Sequence, residues 1–152
     1  MASWAEFAAA EPQMARRVAA RFGIRKHKTL ATLRKDGSPR ISGIETAFED
    51  GEIFLGMMPD SRKLADLRRD PRLALHSPTE DPPATDAASW GGEAKIAGRA
   101  VEVSAPDANA MDAGRFRVDI SEVVLTYLND AGNRLVIESW HPGRGRRRSE
   151  RA

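Results

Sequence analysis

The feature that most constrains the fold is a run of short strand-like segments separated by turn signals. Asp36-Gly37 and Asp50-Gly51 are turns of the kind that joins antiparallel neighbours. They separate segments 29–34, 39–48 and 52–58, which are rich in β-branched and aromatic residues. Three strands joined in this way form a meander, so we expect an antiparallel sheet at the centre of the fold.

The rest of the chain predicts further strands and a few helices. Strands are expected at 72–76, 93–104, 121–128 and 134–140, and helices over residues 1–23, after Asp60 or Ser61, and at 106–113. Ser3 to Glu6 has the form of a capping box, and Pro12 is suited to the first position of a second helix. Residues 78–92 predict a long loop. The pattern indicates an α+β domain, mainly β, although barrel closure does not follow from it.

The basic charge is concentrated at one end of the chain. Residues 143–152 hold five of the 24 basic residues but only one of the 22 acids. The remaining sequence is therefore slightly acidic. Nucleic-acid binding would have to depend on residues 143–152 alone. We predict one domain over 1–142, with helical segment 1–23, and a flexible basic tail over 143–152.

Several classes of site are excluded or disfavoured by composition. The chain has no cysteine, which excludes disulfides, thiolate zinc sites and a cysteine nucleophile. Its three histidines lie far apart and form no ligand pair, so no metal site is predicted. Neither an export signal nor a long apolar run is visible, so we expect a cytoplasmic protein with no membrane contact.

The most informative polar segment is Ser61-Arg62-Lys63, at a strand-to-helix junction. A helix start exposes unpaired N–H groups and a partial positive charge, so two cations in the first turn are unfavourable without an anion. A bound phosphate removes that conflict through charge-assisted hydrogen bonds. The alternative is that Ser61 is an ordinary helix cap and both cations are solvated.

Two further features are compatible with a flat ligand. Gly43 lies in mid-strand, which marks either a bulge or a ligand that lies against the backbone. Met57 and Met58 end the next strand and offer polarizable side chains to an aromatic ring, although core filling is the expected role of at least one. Glu45 either faces solvent or lines a polar site.

Three segments in this order carry a family resemblance: ATLRKDGSPRIS at 31–42, DGEIFL at 50–55 and SRKLADLRRDPR at 61–72. The chain resembles the flavin-binding split-barrel superfamily, which contains pyridoxamine 5′-phosphate oxidase and the actinobacterial flavin/deazaflavin oxidoreductases. The resemblance is clearest from Lys28 to His76. It implies a six-stranded antiparallel split β-barrel and a homodimer with a cofactor groove at the subunit interface.

The same resemblance implies particular contacts. Ser61, Arg62 and Lys63 would hold the cofactor phosphate, while Arg40, Ile41, Ser42 and Gly43 would run alongside the ring. The ending 140–148 resembles the tail of some actinobacterial members, so Trp140 and Arg146 are candidate contacts from the partner subunit. Gly43-Ile44-Glu45 departs from the family pattern, which has a proline and an aromatic or aliphatic pair nearby.

These implications predict an oxidoreductase that transfers hydride between a cofactor and a small organic substrate. The cofactor is FMN or the 8-hydroxy-5-deazaflavin coenzyme F-420, and the alanine- and arginine-rich composition favours the latter. No catalytic residue is predicted, since the cofactor supplies the chemistry. The alternatives are a flavin-binding or carrier protein without turnover and, less favoured, a nucleic-acid module that uses the arginine tail.

Overall fold

The computed structural model describes residues 1–103 and 113–152. Its helices are α1 (Trp4–Ala10), α2 (Pro12–Phe22) and α3 (Arg62–Arg69). Its strands are β1 (His27–Leu33), β2 (Pro39–Glu49), β3 (Glu52–Met57), β4 (Arg72–His76), β5 (Glu93–Glu102), β6 (Gly114–Leu128), β7 (Leu135–His141) and β8 (Gly145–Arg151). A short 3-10 turn occupies Ala87–Ser89, inside the predicted loop.

The strands form one antiparallel sheet in the order β3-β2-β1-β4-β5-β6-β7-β8. The first half of β6 also pairs with β3, from Phe54↔Arg117 to Met57↔Gly114, and this pairing closes the first six strands into a barrel. The second half of β6 continues to β7. The predicted α+β fold with a six-stranded split barrel is confirmed, with β7 and β8 as additional strands.

Local sequence signals set most of the element boundaries. The two hairpin turns place Gly37 at φ 85° and Gly51 at φ 73°, which side chains rarely tolerate. Ser3 and Glu6 form the predicted capping box, and Pro12 begins α2. A bulge or similar irregularity interrupts β5, since the β5–β6 register shifts between Ala97 and Gly98.

The N-terminal helices cover one end of the barrel with aromatic side chains. Phe7 is fully buried, with ring centroids 5.3 Å from Trp4 and 5.0 Å from Trp140. Trp4 and Phe22 lie 4.7 Å and 5.7 Å from Phe48 of β2. We call these five residues the aromatic end. They close this side of the barrel against water.

The basic tail was predicted to be flexible, and the structure corrects this. Residues of β8 pair with β7 from Leu135↔Arg151 to His141↔Gly145. Gly143 and Gly145, at φ 79° and 74°, make the turn that returns the chain along β7. Arg146 then bonds the buried Glu138 and lies 3.3 Å from the Glu11 carboxylate. Backbone pairing and these ion pairs order a segment whose arginine run gave no strand signal.

Two other regions complete the description. The short helix predicted at 106–113 lies outside the described residues, apart from position 113. Loop 78–92 is attached to the body, because Arg21 bonds the Glu80 carboxylate at 2.7 Å and Arg25 donates to the Thr79 carbonyl at 2.7 Å. None of the described helices is long and apolar enough to cross a membrane.

Candidate cofactor groove

A groove of about 800 Å³ lies along β2 and β3 and reaches the start of β6 and the first turn of α3. Its lining includes Gly43, Glu45, Gly56, Met58, Lys63 and Arg115. Closure of the barrel brings these residues together, since β6 is distant from β2 in sequence and pairs directly with β3. With His27 of β1, the groove therefore joins residues from five elements.

Two glycines leave the groove surface flat. A Cβ added at Gly43 or Gly56 would meet no atom within 4 Å, so both backbones face open space. The register of β1 with β2 is continuous through Thr29↔Gly43, which excludes a bulge at Gly43 in that pairing. Close approach of a ligand to the Gly43 backbone stays a prediction, and the open space at this position is compatible with it.

Lys63 connects α3 to the groove. Its Nζ donates to the Gly43 carbonyl at 2.8 Å, so the ammonium lies beside the exposed β2 backbone. Ser61 caps α3 and accepts from the Leu64 N–H at 3.4 Å. Arg62 is exposed and makes no hydrogen bond or ion pair with the described residues. Of these three predicted residues, Lys63 lines the groove, whereas Ser61 and Arg62 lie next to it in sequence and are not among the lining residues.

Arg40 has a different environment from the one predicted for it. Its Nε donates to Asp66 of α3 at 2.8 Å, and only 17% of its side chain is exposed. The same carboxylate accepts from Thr32 Oγ1 at 2.7 Å and from Arg69 at 2.9 Å. We call these four residues the Asp66 cluster. It fixes α3 against β1 and β2.

The Asp66 cluster keeps its carboxylate ionised although it is buried. Burial raises the pKa of Asp66, but hydrogen bonds from Arg40, Thr32 and Arg69 lower it by more, so its net pKa lies below the ordinary 3.8. The negative charge is therefore retained at neutral pH. It lies on the same helix as Lys63, less than one turn further along.

The far wall of the groove carries both signs of charge. Glu45, exposed in part, lies 3.6 Å from Lys26 and 3.7 Å from His27. Arg115 lies 3.9 Å from the centroid of the Phe54 ring and bonds Glu49 at 3.2 Å. An aromatic ring covered by a guanidinium gives this wall an apolar surface with hydrogen-bond donors at its edge.

The other residues that were predicted to contact the cofactor lie in different parts of the structure. Met58 is 79% exposed at the groove, whereas Met57 lines it from the core with 4% exposed, so the two methionines have different roles. Ser42 is half-buried opposite Leu30. Trp140 is packed in the aromatic end with 6% exposed. That burial leaves little of the Trp140 ring for a partner subunit.

Ile41 lies beside the groove, in a second depression of about 410 Å³ on the barrel surface. It is 75% exposed. A row of small side chains continues from it across the sheet, through the register pairs Ala31↔Ile41, Ala31↔Ala74 and Ala74↔Ala97. We call this surface the alanine row. Ile41 and Ala74 are exposed and the other two alanines are half-buried. The row adjoins the groove through the register pair Thr29↔Gly43, and His76, Lys95 and Glu122 also line its depression.

Sequence reasoning missed two parts of the site. Arg115 and Phe54 lie together in the groove because β6 pairs with β3. No local sequence pattern predicts this pairing. The Asp66 cluster joins residues from positions 32 to 69. Its one sequence signal is an acid beside the buried Leu64 and Leu67 of a very short helix.

Comparison with known proteins gives one family and several related folds. The sequence pattern of the pyridoxamine 5′-phosphate oxidase family matches residues 15–139. PhzG from Burkholderia lata 383, in complex with tetrahydrophenazine-1-carboxylic acid, has a TM-score of 0.66 at 13% identity, covering 97% of this chain and 92% of that one. An F420 reductase has a TM-score of 0.52 at 14% identity over 68% and 93% of the two chains.

A third related fold comes from a different functional class. HutZ, the heme storage protein from Vibrio cholerae, has a TM-score of 0.55 at 15% identity, covering 74% of this chain and 90% of that one. No curated protein matches the chain. At these identities the solved structures establish the shared fold alone.

Proposed function

We propose that this chain, which belongs to the pyridoxamine 5′-phosphate oxidase family, binds FMN or the deazaflavin coenzyme F-420 in the groove and acts as an oxidoreductase. The observation that carries the proposal is the contact of Lys63 Nζ with the Gly43 carbonyl, 2.8 Å, which joins a cation to an open stretch of β2 backbone. A flat ring with a phosphate arm needs both features in one place.

The corner at Lys63 is suited to the phosphate. Arg62 has donors that no described residue uses, and it lies in the first turn of α3, where Ser61 accepts the Leu64 N–H and the earlier N–H groups have no partner within the helix. A phosphate placed there would satisfy the cations that disfavour this helix start. Ser61, Arg62 and Lys63 are therefore the proposed phosphate ligands.

The flat part of the groove is suited to the ring. Gly43 and Gly56 have open space where a Cβ would stand, and Met58 offers a polarizable side chain at the edge. A bound flavin or deazaflavin supplies hydride transfer, and the protein supplies position and electrostatics. Arg115, stacked on Phe54, is placed to orient a polar or anionic group of the substrate.

The alanine row supports the proposed homodimer. Ile41 and the three alanines form a contiguous apolar row beside the groove, and such a row at the surface is typical of an interface between subunits. A second copy packed on it would also cover the adjoining groove. The cofactor would then be enclosed between two subunits, as the family resemblance implies.

Fluorescence titration of the purified chain with FMN and with the deazaflavin tests this proposal. We expect saturable binding of at least one cofactor, and reduction of the bound cofactor by a matching donor. Binding without any turnover would favour the alternative of a cofactor-binding protein. Absence of binding for both cofactors would contradict the proposal.

A further inference from the structure

Asp66 places a buried negative charge close to the part of the fold where the proposed site needs positive charge. Its side chain is 3% exposed, on the helix whose first turn carries Arg62 and Lys63. Burying a carboxylate is costly unless it is paired, and its charge opposes a nearby phosphate. An apolar residue beside Leu64 and Leu67 would avoid both effects. We therefore expect the Asp66 carboxylate to have a role beyond packing.

The contacts of Asp66 join α3 to two strands at once. Its Oδ2 accepts from Thr32 at 2.7 Å and from Arg40 at 2.8 Å. Thr32 and Arg40 are direct register partners on β1 and β2, so one carboxylate oxygen holds a cross-strand pair. Lys63 makes the second connection, to Gly43 three residues further along β2. The helix is thus fixed to β2 at two points, at Arg40 and at Gly43.

Arg40 contributes only part of its guanidinium to this cluster. Its Nε is used by Asp66, and its two Nη groups make no hydrogen bond with the described residues. A guanidinium presents its donors in a fixed planar fork, so a bond at Nε determines where both Nη groups point. Asp66 therefore sets the orientation of two donors that remain available.

We propose that Asp66 is a positioning residue of the phosphate site, which holds the Arg40 guanidinium and the first turn of α3 in one fixed arrangement with Lys63. This inference rests on the proposed function, since Asp66 would fix the helix that carries the proposed phosphate ligands, and it adds Arg40 to them as a further donor. Asp66 itself does not contact the ligand. Asp66 contributes by holding the donor groups in a fixed geometry, because the strength of a charge-assisted hydrogen bond depends on the position of its donor.

The test compares ligands that differ only in the phosphate-bearing arm. FMN is paired with riboflavin, and the deazaflavin coenzyme with its phosphate-free chromophore, 8-hydroxy-5-deazariboflavin. For Asp66→Asn we expect the Kd of the phosphate-bearing ligand to rise about tenfold while that of its phosphate-free partner stays unchanged. Charge alone predicts the opposite, since the substitution removes a negative charge near the phosphate. Unchanged or tighter phosphate-dependent binding, or equal losses for both ligands, would overturn the proposal.

Two further variants keep the test decisive. Asp70→Asn is the matched control, since Asp70 also bonds an arginine, Arg72 at 2.7 Å, and lies just beyond α3; neither Kd should change. If Asp66→Asn does not fold, Thr32→Ala tests the positioning role instead. This variant removes one hydrogen bond to Asp66 and leaves the ion pairs of Asp66 with arginine. We expect Thr32→Ala to weaken phosphate-dependent binding about threefold. No phosphate-dependent loss in Thr32→Ala would then reject the positioning role.

The wild-type protein separates failure of this inference from failure of the proposed function. If it binds neither phosphate-bearing ligand more tightly than the phosphate-free partner, the phosphate site itself is rejected. If it shows that preference and both variants retain it, only the role of Asp66 is rejected.

Discussion

The aromatic end and the groove occupy two surfaces of the same barrel, and they are built from opposite kinds of residue. At the aromatic end, five large rings, among them the fully buried Phe7, contact one another in sequence at centroid distances of 4.7–5.7 Å. In the groove, Gly43 and Gly56 leave open space where side chains would stand. The difference shows that stability is concentrated where side chains fill the volume, and the proposed function where they leave it free.

Strand β2 contributes to both surfaces and shows how this separation arises. Successive side chains of a strand point to opposite faces. Phe48 packs inward against Trp4 and Phe22, while Gly43 and Glu45 face the groove. One strand can therefore carry packing residues and ligand-binding residues without conflict.

The largest expected effect is on stability, at the aromatic end. Phe7→Ala removes a fully buried ring in contact with Trp4 and Trp140, and we expect a loss of about 3–5 kcal/mol in the free energy of unfolding. Urea denaturation measures it. The affinity of the remaining folded molecules for cofactor should stay within about threefold of wild type. A loss of affinity well beyond that would show that the two surfaces are coupled.

The next effect is on affinity, at the phosphate corner. We expect Arg62→Ala and Lys63→Ala each to weaken binding of the phosphate-bearing cofactor by about 1–3 kcal/mol, because each removes a charged donor. Isothermal titration calorimetry measures this, and Lys35→Ala, in the exposed β1–β2 turn, is the control. Unchanged affinity in both variants would remove the phosphate assignment.

A smaller effect is expected on the flat part of the groove. Gly43→Val adds a side chain that meets no protein atom near its Cβ, and valine suits a strand, so the fold should remain stable. The new side chain would occupy space proposed for the ring, and we expect cofactor affinity to fall about tenfold, or ~1.4 kcal/mol. Gly37→Val is not a suitable control because Gly37 has φ 85°, and Ser149→Val, at an exposed position of β8 outside the groove, serves instead. Full affinity in Gly43→Val would place the ring elsewhere.

The smallest effect concerns the pH dependence of stability. Because the pKa of Asp66 in the folded protein lies below the ordinary 3.8, its stabilising contribution is complete above pH 3.8 and is lost as the pH falls through the lower folded value. The free energies of unfolding of wild type and of Asp66→Asn, measured between pH 7 and pH 2, should therefore converge at the acid end. Asp130→Asn, in an exposed turn, is the control. A stability difference that does not shrink with acid would contradict this assignment of charge.

Much of the fold was predictable because its signals are local. Asp-Gly turns, the Ser3 capping box and Pro12 act within a few residues, and each predicted the correct element. Barrel closure is different, since α3, β4 and β5 are among the elements that separate β3 from β6 in the described part of the chain. That pairing depends on the whole sheet and its twist, which no short segment encodes.

The candidate site was predictable to a smaller extent. Gly43, Met58 and Lys63 were predicted and do line the groove, since all follow from one strand and the junction after the next. Arg115 required knowledge of the barrel closure. The Asp66 cluster required knowledge of which strands lie under α3. The strand β8 was missed because its stability comes from Glu138 and β7 rather than from its own pattern.

The most direct test of the account is a crystal structure of the protein with the tighter of the two cofactors. We predict that the phosphate lies within hydrogen-bond distance of Arg62 or Lys63 and that the ring lies against the backbone of Gly43. A cofactor bound in the alanine row or at the arginine side chains of β8, with the groove empty, would contradict it.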